Sequence, residues 1–195
     1  MSYTLVGSYT SPFVRRIRML METIPYEFME LNIYEAPGAK ALHEMNPINQ
    51  IPILILPQQK IWDSRQIFNF LNLKYQLFNL GWDDENDLTA IERGLDAGIT
   101  LFLMKKSGID IEADVMFINR QKERMESVLT YLKPLISKRY QEEWNFHTMT
   151  LYSFLDWAKF RGVLDVDSKP ECLEFMKAHK DRSIVLHTQI PGNLS

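Results

Sequence analysis

The sequence predicts an α/β domain followed by an all-helical domain, and three observations carry the prediction. Residues 1–78 alternate strand-like and helix-like patterns, in the order β-α-β and then, after a break, β-β-α. Residues 79–87 (NLGWDDEND) are acidic and turn-forming, as a linker would be. From Leu88 onward, through residue 195, only helical periodicity is found.

Each element has a local reason. Tyr3–Gly7 (YTLVG) is rich in β-formers and is the first predicted strand. Ser11 and Pro12 follow, a favoured N-cap and a favoured first helical residue. Val14, Ile17, Leu20, Met21 and Ile24 then recur at spacings of three and four, which places them on one helix face. Pro25 stops that helix, and YEFMELNI reads as the second strand. Residues 35–45 hold a loop and a short helix. Residues 51–56 (IPILIL) form a continuous apolar run of strand length, as expected of a strand buried on both faces. PQQK turns the chain back, KIW is a short fourth strand, and Asp63-Ser64 opens an amphipathic helix through Ile67, Phe70, Leu71 and Tyr75. Past the linker, Leu88, Ile91, Leu95, Ile99 and Phe102 form one stripe, and Phe117, Ile118, Gln121, Met125, Val128, Leu129 and Leu132 another. Residues 146–160 and 170–179 give two more helices.

Composition narrows the function classes. The chain has 195 residues, 46% hydrophobic and 24% charged, close to the average of soluble globular proteins. The net charge of −3 does not steer the protein toward nucleic acid or anionic lipid, whose binders usually show a basic face and a high pI. The lone Cys172 cannot form an internal disulfide and fits a reducing compartment. The opening MSYTLVGSYTSPF lacks the basic stretch and apolar core of a signal peptide, and no apolar run approaches the roughly 20 residues of a membrane helix. A cytoplasmic protein is expected, with neither nucleic acid nor membrane as partner. His43, His147, His179 and His187 are too scattered for metal-ligand spacing, so no metal is expected. No phosphate-binding glycine loop and no G-x-S-x-G elbow is present.

Three segments carry chemistry. In SYTSPFVRR a strand ends and Ser11 caps a helix, so first-turn N–H groups and the helix dipole favour an anion there. A ligand thiolate could sit at that point, with the Ser11 hydroxyl donating to it and Arg15, one turn on, adding positive charge. The same pattern also starts many helices that do no chemistry. In NPINQIPIL, Pro52 stands at the entrance of a buried strand. A cis Ile51–Pro52 bond would turn the chain there and leave the Ile51 N–H and C=O to pair with a peptide-like ligand, whereas a trans bond would make it an entry proline only. In IWDSRQI, Asp63 and Ser64 fall where a strand passes into a helix. They can hold an ammonium and a carboxylate, or Asp63 can simply form a capping box with Gln66.

Taken together and in this order, the three segments resemble the glutathione S-transferase family. SYTSPFVRRIRMLM is similar to its first strand, catalytic loop and first helix, in the bacterial subgroup with a G-S-x-T-S-P-F-x-R, serine-type start. NPINQIPIL is similar to its N-P-x-G-x-V-P-x-L segment, and WDSRQIFNFL to its E/D-S-x-x-I segment. The resemblance implies a thioredoxin-like glutathione-binding domain over 1–78, a linker over 79–87 and a helical domain over 88–195. It implies that Ser11 contacts the glutathione sulfur, with Tyr9 as its rival. It implies that the Ile51 backbone pairs with the cysteinyl unit beside cis Pro52, and that Asp63 and Ser64 hold the γ-glutamyl end. Phe13, Arg15 and Gln50, in the same segments, complete the expected glutathione-binding set. The implied activity is transfer of the glutathione thiol to a small electrophile in detoxification, with glutathione peroxidase chemistry possible beside it. A serine cannot form a mixed disulfide, so thiol–disulfide exchange is not expected. Glutathione is the implied co-substrate and a homodimer the implied assembly, with the helix after Ser64 meeting the partner's helix from Leu88. Phe13, Phe102 and Met104 are candidates for the electrophile pocket. The alternative is a non-enzymatic interaction protein on the same fold, similar to stringent starvation protein A binding RNA polymerase. Two departures from the family pattern stand out. Asn49 replaces the expected glycine, a residue that tolerates left-handed backbone. Asn145 stands at the cap of a later helix with Thr148 where aspartate is usual, so a weakened reciprocal box is expected there.

Overall fold

The structure, a computed structural model, describes residues 3–192. The outermost ends of the two expected domains, 1–2 and 193–195, lie outside the described residues. The chain forms two compact units, dividing after Asn79 and again after Asp181, with the segment from Arg182 belonging to the N-terminal unit. The fold class is the expected one, a thioredoxin-like α/β unit followed by an all-helical region.

In the first unit, β1 (Tyr3–Gly7), α1 (Pro12–Leu20), β2 (Tyr26–Glu30) and α2 (Ala36–Met45) precede β3 (Ile53–Ile55), β4 (Lys60–Trp62) and α3 (Ser64–Tyr75). The helical unit holds α4 (Trp82–Lys106), α5 (Met116–Ile136), a 3-10 turn (Arg139–Gln141), α6 (Phe146–Arg161) and α7 (Pro170–His179). A last helix, α8 (Ser183–His187), follows in the segment that rejoins the first unit.

The sheet has the order β2-β1-β3-β4. β1 runs parallel to β2, and β3 is antiparallel to both β1 and β4. Only residues 53–55 of the expected 51–56 strand pair, because cis Pro52 turns the chain at the entrance and the Leu56 N–H donates to the Gln59 carbonyl to close a hairpin.

α1 buries its apolar stripe, with Val14 and Ile17 fully enclosed, but it also buries Arg15, Arg16 and Arg18, each 5% exposed or less. A buried charge requires compensating partners. Arg15 Nη2 donates to the Val185 carbonyl at 3.4 Å and Arg18 Nη2 to the His187 carbonyl at 3.3 Å. Those carbonyls belong to the last turn of α8, where a helix has no acceptor-side partners of its own. This is why the final segment packs with the first unit, although the sequence reading placed it in the helical domain.

The expected linker is mostly helix, since α4 begins at Trp82. Its acidic run falls in the first helical turn, where the dipole favours negative charge, and Asp84 accepts the Gly81 N–H at 3.0 Å. Asp87, in the next turn, is buried and accepts from the hydroxyls of Tyr131 at 2.8 Å and Tyr140 at 2.9 Å, which ties α4 to α5 and the 3-10 turn. The expected weakening at the start of α6 does not occur. Asn145 Oδ1 accepts the Thr148 N–H at 3.1 Å while Thr148 Oγ1 accepts the Asn145 N–H at 2.8 Å, so the threonine hydroxyl completes the box. No helix among the described residues is long and apolar enough to cross a membrane.

Candidate functional site

Strand register brings the three segments together before any side chain is considered. Val6 of β1 pairs with Ile53 of β3, and Ile53 pairs with Trp62 of β4. The end of β1, the start of β3 and the end of β4 therefore lie along one edge of the sheet. The turn carrying Tyr9 and Ser11 leaves the first, the loop carrying Gln50, Ile51 and Pro52 enters the second, and Asp63 and Ser64 follow the third. The N-termini of α1 and α3 open at that edge, where the helix dipoles favour an anion.

Ser11 is the N-cap of α1, with extended backbone, and its Oγ accepts the Val14 N–H at 3.3 Å. A hydroxyl has one proton and two lone pairs. Using one lone pair on the helix leaves the proton to donate to a ligand. The ring of Tyr9 is packed on both Phe28 and Arg18. It lies 4.8 Å from that of Phe28, and the Arg18 guanidinium sits 4.9 Å from Tyr9 and 5.0 Å from Phe28, a cation held against two rings. Phe13 is half-buried with the Arg16 guanidinium 5.4 Å from its centroid. Arg15, expected to add charge beside Ser11, is instead directed at the α8 carbonyl.

The loop before Pro52 is organised by a residue the sequence reading did not single out. Asn46 is 3% exposed. Its Oδ1 accepts from Ile48 N–H at 3.1 Å and Gln50 N–H at 3.5 Å, and its Nδ2 donates to the Gln50 carbonyl at 3.0 Å. Asn49 adopts φ 54°, the left-handed conformation expected where the family pattern has glycine, and its Oδ1 lies 3.1 Å from His43 Nδ1. The Ile51–Pro52 bond is cis. β3 starts two residues later, so the Ile51 backbone stands outside the sheet ladder.

Asp63 caps α3. Its Oδ1 accepts from Arg65 N–H at 2.8 Å and Gln66 N–H at 3.2 Å. Its φ of 71° is rare outside glycine and is concentrated at functional sites in other proteins. Asp63 is exposed, and only its Oδ1 is taken by the two cap bonds. Ser64 is buried, and its Oγ accepts from Arg16 Nη2 at 2.6 Å. This short, charge-assisted bond joins α1 to α3 and places a buried positive charge behind Ser64. Arg16 is the second residue missed from sequence: within the run RRIR, nothing marks which arginine turns inward. Phe102 and Met104 belong to the helical unit, both half-buried, and Phe102 meets Trp157 edge-on at 5.7 Å.

Comparison with known proteins agrees with this geometry. Residues 5–77 match the family model described as the glutathione S-transferase N-terminal domain. The "uncharacterized GST-like protein YibF" of Escherichia coli (strain K12) is 38% identical over 72 residues. That match takes in 35% of this chain and 35% of YibF, about a third of the curated relative's length. Among solved structures, a glutathione S-transferase from Methylobacterium radiotolerans, in complex with glutathione sulfonate, superimposes with a TM-score of 0.83 over 98% of this chain and 95% of its own, at 18% identity. One from Methylobacillus flagellatus with glutathione bound gives 0.81 over 96% and 98%, at 20% identity. A glutathione transferase family member from Pseudomonas fluorescens, also with bound glutathione, gives 0.81 over 97% and 99%, at 18% identity. These likenesses establish the fold.

Proposed function

We propose that this chain is a member of the glutathione transferase family and transfers the glutathione thiol to a small electrophile, with Ser11 holding the sulfur as a thiolate. The observation that carries the proposal is the convergence at one sheet edge of Ser11, the cis Ile51–Pro52 turn and the Asp63–Ser64 helix start, within the residues that match the family's N-terminal domain.

Each end of the tripeptide has a counterpart. The Ile51 N–H and C=O pair with the cysteinyl backbone as an added strand would. The Ser64 hydroxyl and N–H at the start of α3, backed by Arg16, receive the γ-glutamyl carboxylate, and the Asp63 carboxylate receives its ammonium. The sulfur then lies at the N-terminus of α1. A free thiol has a pKa of about 8.5, and a helix N-terminus lowers it. The Ser11 O–H adds a hydrogen bond to a charged acceptor, about 1.5–3 kcal/mol, or roughly one to two pKa units. A larger share of thiolate at neutral pH then attacks the electrophilic carbon, forming the C–S bond as a leaving group departs with its electron pair or, at an activated double bond, as the new carbanion takes a proton from solvent; the sulfur's own proton leaves to solvent on ionisation. Tyr9, held by Phe28 and Arg18, is the less suitable partner.

The same reading includes a homodimer, pairing α3 of one protomer with α4 of the other, for which light scattering should report about twice the 23.0 kDa chain mass. Retention of the purified protein on immobilised glutathione, with elution by free glutathione, is the expected result. A protein that passes through the resin is an interaction protein on this fold, and the transferase reading fails.

A further inference from the structure

Asn46 has a consequence beyond the loop it organises. It stands at the C-terminal end of α2, where its N–H donates to the Leu42 carbonyl at 3.1 Å, and its side chain is buried. A carboxamide offers one acceptor oxygen with two lone pairs and two N–H donors. The oxygen takes the Ile48 N–H at 3.1 Å and, more loosely, the Gln50 N–H at 3.5 Å, while Nδ2 donates to the Gln50 carbonyl at 3.0 Å. One side chain thus meets the N–H and the C=O of Gln50 together, as a residue opposite it on a neighbouring strand would. Asp at this position would keep the acceptor and lose the donor.

The effect passes along the next peptide. A peptide unit is planar, and in the trans form its C=O and N–H point in opposite directions. The Gln50–Ile51 peptide is trans. Its C=O is drawn to the buried Asn46 amide, so its N–H, which is that of Ile51, is turned away from Asn46. No hydrogen bond among the described residues takes up the Ile51 N–H, and β3 starts only at Ile53. Gln50 is exposed, so packing of its own side chain does not hold this peptide. A buried amide therefore sets the direction of a backbone donor that the fold leaves unused.

We propose that Asn46 is a positioning residue, whose amide aims the Ile51 N–H at the cysteinyl carbonyl of glutathione. In an antiparallel pair, opposed residues exchange both N–H···O=C bonds, which makes that carbonyl the acceptor. The proposal rests on the glutathione reading and deepens it, because that reading requires the Ile51 backbone to be free and this one says what orients it.

The test is a calorimetric titration of the parent, Asn46→Ala and Asn46→Asp with glutathione and with its trans-alkene isostere. There a C=C replaces the cysteinyl–glycine peptide bond and removes the carbonyl. The ester analogue, which keeps the carbonyl and lacks only the glycyl N–H, is the control. Asn46→Ala should bind glutathione and the ester roughly tenfold more weakly than the parent does, the worth of one misaimed hydrogen bond. Asn46→Asp should not recover the loss. Both variants should bind the isostere within about twofold of the parent. The thiol pKa of bound glutathione should be the parent's in both, since Ser11 and not this loop acts on the sulfur. In the parent alone, the Ile51 amide proton should exchange freely, then roughly tenfold more slowly at saturating glutathione but not at saturating isostere. If neither variant folds, that exchange decides. Equal losses for glutathione and isostere, or a shifted thiol pKa, would make Asn46 purely structural. Recovery in Asn46→Asp would show that the bond to the Gln50 carbonyl is not used. An Ile51 amide protected already in the free protein would show it turned inward. Any of these overturns the proposal and leaves the glutathione reading standing, whereas a parent that binds no glutathione overturns that reading and the proposal with it.

Discussion

Asp63 has two jobs on this account, and substitution can separate them. As a cap it accepts two N–H groups of α3, and as a ligand group it offers its exposed oxygen to the γ-glutamyl ammonium. Asn keeps an oxygen at the same position and is among the residues that best tolerate positive φ, so Asp63→Asn preserves the cap and the 71° backbone but removes the charge. Asp63→Ala removes everything, at a cost of about 0.5–2 kcal/mol for the cap, plus strain at a φ suited to glycine. The charge is worth less than a buried pair because Asp63 is exposed. An exposed ion pair contributes up to about 1 kcal/mol and a charge-assisted hydrogen bond about 1.5–3. About 1–1.5 kcal/mol is expected, roughly a five- to tenfold loss of glutathione affinity in Asp63→Asn, with unfolding free energy within about 0.5 kcal/mol of the parent. Calorimetric titration with glutathione and with its des-amino analogue completes a double-mutant cycle. The analogue should bind both proteins equally. Full glutathione affinity in Asp63→Asn would refute the reasoning and leave Asp63 a helix cap only.

Two further outcomes follow from buried groups. Arg16→Met removes the guanidinium that bonds Ser64 at 2.6 Å, so glutathione affinity should fall roughly ten- to a hundredfold (1.5–3 kcal/mol) and Arg16→Lys should recover part of it; unchanged affinity with a lowered Tm would make Arg16 purely structural. His147 is fully buried, and burial holds its pKa below the ordinary 6.5, with Arg139 acting in the same direction and Asp84, Glu143 and Asp87 opposing. The unfolded chain therefore takes up a proton first, so this stabilising contribution is complete above about pH 6.5 and is lost as pH falls from there through the lower folded value. Chemical denaturation at pH 7.5 and 5.5 should show a smaller pH dependence in His147→Gln than in the parent, and equal slopes would contradict the assignment.

What could be read from the sequence is what local chemistry determines. Pro52 inside an apolar run marked the turn, Asn49 marked a left-handed position, and Asp63-Ser64 marked the start of α3, because each depends on residues a few positions away. The fates of Arg15, Arg16 and Arg18 depend on Val185, Ser64 and His187, residues 48 to 170 positions distant, so the apolar stripe of the helix was legible but the burial of its arginines was not. The acidic segment 79–87 was misjudged for a related reason. Asp and Asn are poor in helix interiors but acidic residues are favourable in a first turn, and only the placement of the turn at Trp82 decides between a linker and a helix start. Thr148 shows the converse: a hydroxyl can replace the expected carboxylate in a capping box, which a pattern of residue types does not reveal. The packing of Phe28 and Arg18 around the Tyr9 ring was likewise not legible in the sequence, since neither residue is adjacent to it.

The thiol pKa of bound glutathione in Ser11→Ala, measured by ultraviolet absorbance of the thiolate across pH beside the parent, Ser11→Thr and Tyr9→Phe, tests the central claim most directly. Loss of one hydrogen bond to the sulfur should raise that pKa by roughly one to two units and slow turnover at neutral pH about ten- to a hundredfold. The helix should lose about 1 kcal/mol of capping at the same time, Ser11→Thr should restore both, and Tyr9→Phe should leave the pKa unmoved. A pKa unchanged in Ser11→Ala and raised in Tyr9→Phe would contradict the account and pass the sulfur to Tyr9.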